Sequence, residues 1–406
     1  MHILFISDNF PPESNAPSIR TFEHTREWVK KGHKVTVITC APNFPHGKVY
    51  KGYKNKLLSK EIISGINIWR VKTYISSNQG FIRRTLDFVS FMLSSMLFGL
   101  FVKRCDLVIG TSPQFFTVIS AFMLSRIKRV PFVFELRDIW PESIKSVGIM
   151  KKSIFFRLLE KIELFLYKQA DLIISVTDSF KKILIKRGIK QEKIKVIMNG
   201  VDLSMFRPDQ KKDALIESKY DLVNKFVVGY IGTHGLAHAL DNILEAASLI
   251  NNNDIKIMLV GSGAEKEKIE KLKTLKKLNN VILLPQQPKE KIPEILQLCD
   301  ISLVHLKNSA LFSSVIPSKI FESIAMQKPI IISVPEGEAT NLIKKNKLGV
   351  VVQPENPKDL ATAIKMMYKE KNTLEQFKYY CKINALKFNR KNFADEMLEH
   401  LIQVTK

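Results

Sequence analysis

Apolar residues in this chain fall into short continuous runs, separated by stretches in which they recur every three or four positions. In the first half, runs near 2–7, 35–40, 66–71, 106–110, 131–136, 171–176 and 194–198 predict β-strands. Between several of them the spacing predicts amphipathic helices, as over Ser18–Lys31 and Ile154–Gln169. The pattern restarts at Phe226-Val227-Val228-Gly229-Tyr230-Ile231. It continues with Lys256–Val260, Val281–Leu284, Ile301–Leu306, Ile330–Ser333 and Val350–Val352, each followed by a helix candidate. Strands that are apolar throughout, alternating with helices, imply a parallel sheet covered on both faces. The expected fold is therefore α/β, two doubly wound Rossmann-like domains facing a cleft, with ligands at the carboxyl ends of the strands.

Asn199-Gly200 is a turn signal, and from Pro208 to Lys225 the chain is polar without clear periodicity. These features divide the sequence into residues 1–205, residues 206–385 and a C-terminal helix over 386–406. Phe388, Phe393, Met397, Leu398 and Leu401 stand at helical spacing there. In such an architecture that helix is expected to cross back and bury its aromatic residues against the first domain. The length, 406 residues, suits two cores better than one.

Cys40, Cys105, Cys299 and Cys381 are scattered and form no CxxC pair. This speaks against a zinc site or a disulfide framework and fits a reducing compartment. The chain opens directly on the strand Ile3-Leu4-Phe5-Ile6, so no secretory signal is expected.

The net charge of +24 is lopsided. Residues 1–205 hold 33 Lys and Arg against 16 Asp and Glu, a net of +17, and the remainder holds +7. A basic face serves nucleic acid, anionic lipid or phosphorylated substrates. No basic-helix reader, RNA-binding aromatic strand pair or zinc finger is legible, so a membrane is favoured over nucleic acid. Phe88–Val102, FVSFMLSSMLFGLFV, contains no charge and lies between Arg83-Arg84 and Lys103-Arg104. It is shorter than the roughly 20 residues of a spanning helix. It reads first as a buried core helix, and second as a helix partly immersed in an anionic bilayer surface.

The densest candidate chemistry is Pro317-Ser318-Lys319-Ile320-Phe321-Glu322, between two strand candidates. A loop feeding a helix N-terminus there would favour an anion. Lys319 adds a positive charge, and Glu322, three residues on, shares its helix face. Lysine for a diphosphate and a carboxylate for ribose hydroxyls would hold one half of a nucleotide sugar. An ordinary amphipathic helix with a solvated Lys and Glu fits the same six residues.

Gly232-Thr233-His234-Gly235 and Gly261-Ser262-Gly263 also follow strands. They are either simple turns or loops that let backbone approach a nucleotide. His234 and His238 are surface histidines or neighbours of a phosphate; no third ligand joins them at helical spacing, and no metal is expected. In the first half, Asp8 and Asn9 leave the first strand, and a loop containing Asn15 leads into the first helix, with Ser18 as its candidate cap. Arg137-Asp138 ends strand 131–136 as either a buried ion pair or a pair facing ligand. A carboxylate such as Asp138 could then assist proton removal.

The chain resembles the family 4 glycosyltransferases of the two-Rossmann-domain type, GT-B. More narrowly, it resembles the bacterial O-antigen and capsule enzymes that transfer N-acetyl-L-fucosamine. The resemblance runs nearly end to end. It rests on MHILFISDNFPPESNAPSIR at the start, ELRDIWPES at 135–143 and KVIMNGVDLSMFRP at 195–208. GYIGTHGLAHALDNILEAA at 229–247, LVGSGAEK at 259–266 and VIPSKIFESIAM at 315–326 complete it.

The resemblance implies transfer of a sugar from a UDP donor to a polyprenyl-diphosphate-linked saccharide, with retained configuration and no metal or other cofactor. It implies an enzyme in the cytoplasm, peripheral on the anionic inner face of the cytoplasmic membrane. The second domain would bind the donor and the first the acceptor. Lys319 would meet the diphosphate with Ser318, and Glu322, the second acid of a paired-glutamate motif, would bind the ribose. Gly232, Thr233, His234, Gly261, Ser262 and Gly263 would line the donor. Asp138, Arg137 and Lys319 would be catalytic, and Asp8, Asn9 and Asn15 would face the acceptor.

Four positions depart from the family pattern. The first acid of the paired motif falls at Ser314, and a basic pair is replaced near Thr233 and His238. Asn15-Ala16 stands for a glycine pair, and Arg137-Asp138 occupies the place of a histidine. A sugar-nucleotide epimerase of the same fold and a non-catalytic anion or nucleic-acid binder remain as alternatives.

Overall fold

The computed structural model describes residues 1–44, 46–76, 81–139, 154–208 and 214–406. They form two compact units, Met1–Asn199 with Arg390–Lys406, and Gly200–Asn389. The division falls at the Asn199-Gly200 turn.

The first unit is built on an eight-stranded sheet. Its strands are β1 (His2–Ile6), β2 (Lys34–Cys40), β3 (Leu58–Ile63), β4 (Ile66–Val71), β5 (Leu107–Thr111), β6 (Phe132–Leu136), β7 (Leu172–Ser175) and β8 (Ile194–Val196), in spatial order β3-β4-β2-β1-β5-β6-β7-β8. Chain order reverses at β1, which pairs in parallel with β2 (Ile3 opposite Val35) and with β5 (Ile3 opposite Leu107). The edge strand β3 runs antiparallel to β4 and escaped the sequence reading. Its residues, LSKEII, are only partly covered, so no continuous apolar run marks them.

The second unit holds six parallel strands, β9 (Phe226–Ile231), β10 (Ile255–Val260), β11 (Val281–Leu284), β12 (Ile301–His305), β13 (Ile330–Ser333) and β14 (Gly349–Val352), ordered β11-β10-β9-β12-β13-β14. The sheet is buried on both faces. Val228, Tyr230, Ile257 and Leu259 join one core with Ile243, Leu244 and Ile364, while Val227, Met258 and Val260 join another with Leu298 and Cys299. Alternate residues thus serve opposite cores, which is why these strands read as unbroken apolar runs. The doubly wound α/β expectation holds in both units, each with its switch point at its first strand. The polar stretch without clear periodicity before β9 contains a short helix, Ala214–Lys219, too brief to show a period.

Two local expectations are corrected. Asn15, not Ser18, caps the first helix, Ala16–Lys30: its side chain accepts from the Ser18 N–H at 2.9 Å, and Pro17 occupies the first turn. The Ser18 hydroxyl donates instead to the Glu13 carbonyl at 2.6 Å.

The helix Phe81–Gly99 is a surface helix, not a core one. Among its described side chains Phe91, Ser95 and Gly99 form the buried stripe, with the Ser95 hydroxyl donating to Ser120 at 2.8 Å. Leu93 and Leu97 are each more than half exposed, and Phe101 just beyond is 65% exposed. Small buried residues let the helix lie close to its neighbour Phe115–Lys128, leaving its larger side chains outside. Among the described residues no helix is long and apolar enough to cross a membrane.

The C-terminal helix, Arg390–Val404, packs within the first unit. Phe393, Met397, Leu398 and Leu401 are buried, and the Trp28 indole donates to the Ala394 carbonyl at 2.8 Å.

Candidate active site

In the second unit, β9 ends at Ile231 and β10 at Val260, and both continue directly into glycine. The Gly232 N–H donates to the Val260 carbonyl at 2.9 Å, and the His234 N–H to Ser262 at 2.9 Å, so the two loops run side by side. Their closeness requires glycine. A Cβ on Gly261, whose φ is +157°, would lie 1.9 Å from the Gly232 carbonyl oxygen. A Cβ on Gly232 would lie 2.7 Å from the Lys319 Nζ. Glycine at these positions lets the two loops and the Lys319 ammonium pack against one another.

Lys319 opens the helix Lys319–Ala325, which is only seven residues long. The helix dipole expected from the sequence is correspondingly short, and the side chain carries the positive charge. The Lys319 Nζ sits 3.8 Å from the centre of the Tyr230 ring, buried and without a hydrogen-bond partner. Burial draws its pKa down to about 7, against a smaller upward pull from Glu322. The aromatic face offsets part of the desolvation cost, and an arriving anion would offset the rest. The solvated lysine of the alternative sequence reading is thus not what the fold builds.

Glu322 is not solvated either. It accepts from the Lys289 ammonium, and the two side chains are 14% and 16% exposed. Lys289 was not singled out in the sequence, because it lies 33 residues away and only the fold joins the pair.

His234 is buried, with neither ring nitrogen hydrogen-bonded. Burial, then Lys319 and Lys266, lower its pKa to about 4. His238 falls to about 3, chiefly through burial, and His305, whose Nδ1 lies 2.7 Å from the His238 carbonyl, is also lowered. Burial thus disfavours the charged form of all three rings. His234 also borders a small open pocket with Lys266, Ile269, Glu270, Leu283, Leu284 and Pro285. Among the described residues no three His, Cys, Asp or Glu side chains gather as metal ligands would.

In the first unit, Asp8, Asn9 and Asn15 meet at the carboxyl end of β1. The Asn15 amide donates to the Asn9 side chain, and Glu13 accepts from the Asn43 and Phe44 N–H groups at 2.7 and 2.9 Å. Burial, then Asp87 and Glu13, push Asp8 up to about 8, and Asp87 on the neighbouring helix rises to about 6. Arg84 stands near both acids and pulls each of them down.

Arg137 and Asp138 follow β6, and both of their N–H groups donate to the Ser112 hydroxyl, at 2.8 and 3.3 Å. Ser112, after β5, is a loop organiser that no motif announced. The two residues are not the buried ion pair of the alternative reading. The Arg137 Nε and Nη1 are buried and unpartnered, and burial lowers the guanidinium to about 9. The buried pairs lie next to it: Arg20 with Glu135 at 2.8 Å, and Arg390 with Glu23 at 2.6 Å. Of the motif at 135–143, residues 140–143 lie outside the described residues.

Two family models match the chain, Glycosyltransferase Family 4 over residues 18–205 and Glycosyl transferases group 1 over residues 209–383. The chain is 25% identical over 376 residues to a putative colanic acid biosynthesis glycosyl transferase, WcaI, of Escherichia coli (strain K12), covering 90% of this chain and 91% of that one. It is 26% identical over 266 residues to a probable glycosyltransferase, WbjE, of Pseudomonas aeruginosa, covering 64% and 66%. Among solved structures it superposes on sucrose-phosphate synthase of Thermosynechococcus elongatus with a TM-score of 0.79, 15% identity and coverage of 100% and 99%. On Anabaena HepE in complex with UDP-glucose the TM-score is 0.74, at 16% identity and coverage of 99% and 100%. These structures share the fold of the chain.

Proposed function

We propose, of a chain that is a glycosyltransferase joining a family 4 domain to a group 1 domain, that its donor is a UDP-sugar held by the second unit. The observation that carries this reading is the buried, unpartnered ammonium of Lys319 beside two glycine loops. A departing nucleoside diphosphate needs preorganised positive charge where negative charge accumulates. Lys319, with Ser318, meets that diphosphate; Gly232, Thr233, His234, Gly261, Ser262 and Gly263 surround it, and Glu322 takes the ribose. The HepE complexes with UDP and UDP-glucose support the choice of nucleotide.

The donor sugar is N-acetyl-L-fucosamine or a related deoxyamino sugar, on the strength of the end-to-end motif resemblance. The acceptor is a polyprenyl-diphosphate-linked saccharide of an O-antigen or capsule pathway, and the anomeric configuration is retained. The colanic acid and teichuronic acid names of the Escherichia coli and Bacillus subtilis relatives support a bacterial surface polysaccharide. In the first unit Asp138 receives the acceptor hydroxyl and Arg137 an acceptor phosphate, with Asp8, Asn9 and Asn15 around them. Leu86, Leu93, Leu97 and Phe101 form an exposed apolar face, near the basic residues Arg83, Arg84, Lys103 and Arg104. Such a face suits peripheral contact with an anionic membrane. An epimerase or a simple anion binder would not require this acceptor apparatus.

The test is thermal shift and donor hydrolysis across purified UDP-, GDP- and dTDP-sugars. Stabilisation confined to UDP-N-acetyl-deoxyhexoses supports the reading. A shift with GDP- or dTDP-sugars alone would overturn the donor, and the absence of any shift would remove the nucleotide site.

A further inference from the structure

The Lys289–Glu322 pair is nearly enclosed, and it belongs to neither the glycine loops nor the lysine already described. Lys289 lies in the turn Lys289–Lys291, after β11, and reaches across to the helix that carries Glu322. Its ammonium also sits 4.6 Å from the centre of the Phe206 ring, and Phe206 is itself buried. Three elements distant in sequence thus converge on one carboxylate. Lys289 occupies Oε1 of Glu322, while Oε2 has no hydrogen bond. Lys319, one helical turn away, is directed at Tyr230 and does not bond Glu322.

A carboxylate that is to accept from ribose hydroxyls must be held in one rotamer. The Lys289 ammonium is the hydrogen-bond donor that holds the Glu322 carboxylate, and without it nothing fixes that rotamer. A charge-assisted hydrogen bond from a hydroxyl forms well only when its acceptor stands in place. The lysine supplies the counter-charge from one side and leaves the other oxygen available.

We infer that Lys289 is a positioning residue for nucleotide recognition, fixing Glu322 so that its free oxygen reads the ribose 2′-hydroxyl and selects ribo- over deoxyribonucleoside diphosphates. The inference rests on Glu322 being the ribose acid. A Glu322 free to leave its rotamer serves a ribonucleotide poorly, whereas a ligand without the hydroxyl never uses that contact. Removal of Lys289 therefore acts on one ligand and spares the other.

The experiment is calorimetric titration of the full chain with UDP and with 2′-deoxy-UDP, for the wild type and for Lys289→Met, Lys289→Arg and Glu322→Gln. The wild type is expected to prefer UDP by roughly tenfold or more, the yield of one charge-assisted hydrogen bond. Lys289→Met should lose most of that preference, with affinity for 2′-deoxy-UDP within about threefold of the wild type. Lys289→Arg should retain it.

Equal weakening of both ligands in Lys289→Met would mark a merely structural contact and overturn the inference. So would tighter UDP binding, which would make Lys289 an obstacle to the nucleotide, or a wild type without preference. Glu322→Gln separates the two layers. If it leaves the UDP preference intact, the ribose assignment of Glu322 fails. If it abolishes the preference while Lys289→Met does not, the inference about Lys289 fails alone.

Discussion

At the carboxyl end of β1, in the first unit, the ionisable residue is an acid, and burial drives Asp8 up to about 8. Beside the carboxyl end of β9, in the second unit, it is a lysine, and burial draws Lys319 down to about 7. Asp8 follows the first strand of its doubly wound sheet, and Lys319, on the helix after β12, lies against Gly232, which follows the first strand of the other. Desolvation disfavours the charged form in both and so moves the two groups in opposite directions toward neutral pH. The first unit answers by internal pairing, with Asn15 on Asn9 and two N–H groups on Glu13. The second leaves the Lys319 ammonium without a partner. An acid that holds its proton suits neutral hydroxyl groups, and an unpaired ammonium suits an anion. One scaffold can thus present two chemistries through the sign of one buried side chain.

The sharpest way to break this comparison is Lys319→Ala. Turnover should lose about 2–4 kcal/mol of transition-state stabilisation. An unchanged rate in protein with native circular dichroism would show that the unpaired charge is not used.

On the acid side, Asp8→Asn should raise stability by about 3 kcal/mol at pH 6. The folded-state pKa of about 8 exceeds the unfolded value near 3.8, so the unfolded state binds fewer protons between those limits. Wild-type stability therefore falls as pH rises from 4 to 8, and the Asn variant should not follow. Melting curves at pH 4 and pH 7.5 check this; parallel shifts at both would place Asp8 outside the comparison.

Gly261→Ala should cost roughly 2 kcal/mol, because the new methyl meets the Gly232 carbonyl oxygen and the strained φ resists a side chain. It should also abolish UDP stabilisation in thermal shift. Retained binding would mean the glycine loops are only turns.

The comparison is sharpened further by pH. A bound diphosphate raises the pKa of Lys319 from about 7, so UDP binding should take up a proton above that pH. Affinity should then fall by up to about tenfold per unit from pH 7 to 9. Calorimetry in two buffers of different ionisation enthalpy reads the proton directly, and zero uptake would place the anion elsewhere.

The smallest effect is expected at the surface of the first unit. Lys103→Gln should weaken binding to anionic vesicles by about 1 kcal/mol at low salt. The difference should vanish when salt screens it. Equal partitioning of variant and wild type at low salt would leave the apolar face without a membrane role.

The parallel strands of both sheets, and the loops at their carboxyl ends, were legible in the chain. Strands covered on both faces are continuous apolar runs, and strand–helix alternation leaves parallel pairing as the arrangement that buries them. Gly232, Gly261 and Lys319 were legible for the same reason: they stand at fixed offsets from those runs. Other features left no local signal. Edge strand β3 is half-solvated and lacks a period. The helix Phe81–Gly99 reads as core from composition alone, yet its buried stripe is made of Phe91, Ser95 and Gly99, with the leucines outside.

The sequence by itself determined two doubly wound α/β halves and the points where the loops leave the carboxyl ends of the strands, because hydrophobic periodicity is a local property. Only the tertiary structure decided that Lys319 lies on Tyr230 without a partner, that Lys289 holds Glu322, and that Asp8 is driven toward neutrality. Burial and counter-charge are sums over residues far apart in the chain, and they exist only once the sheets have brought those residues together.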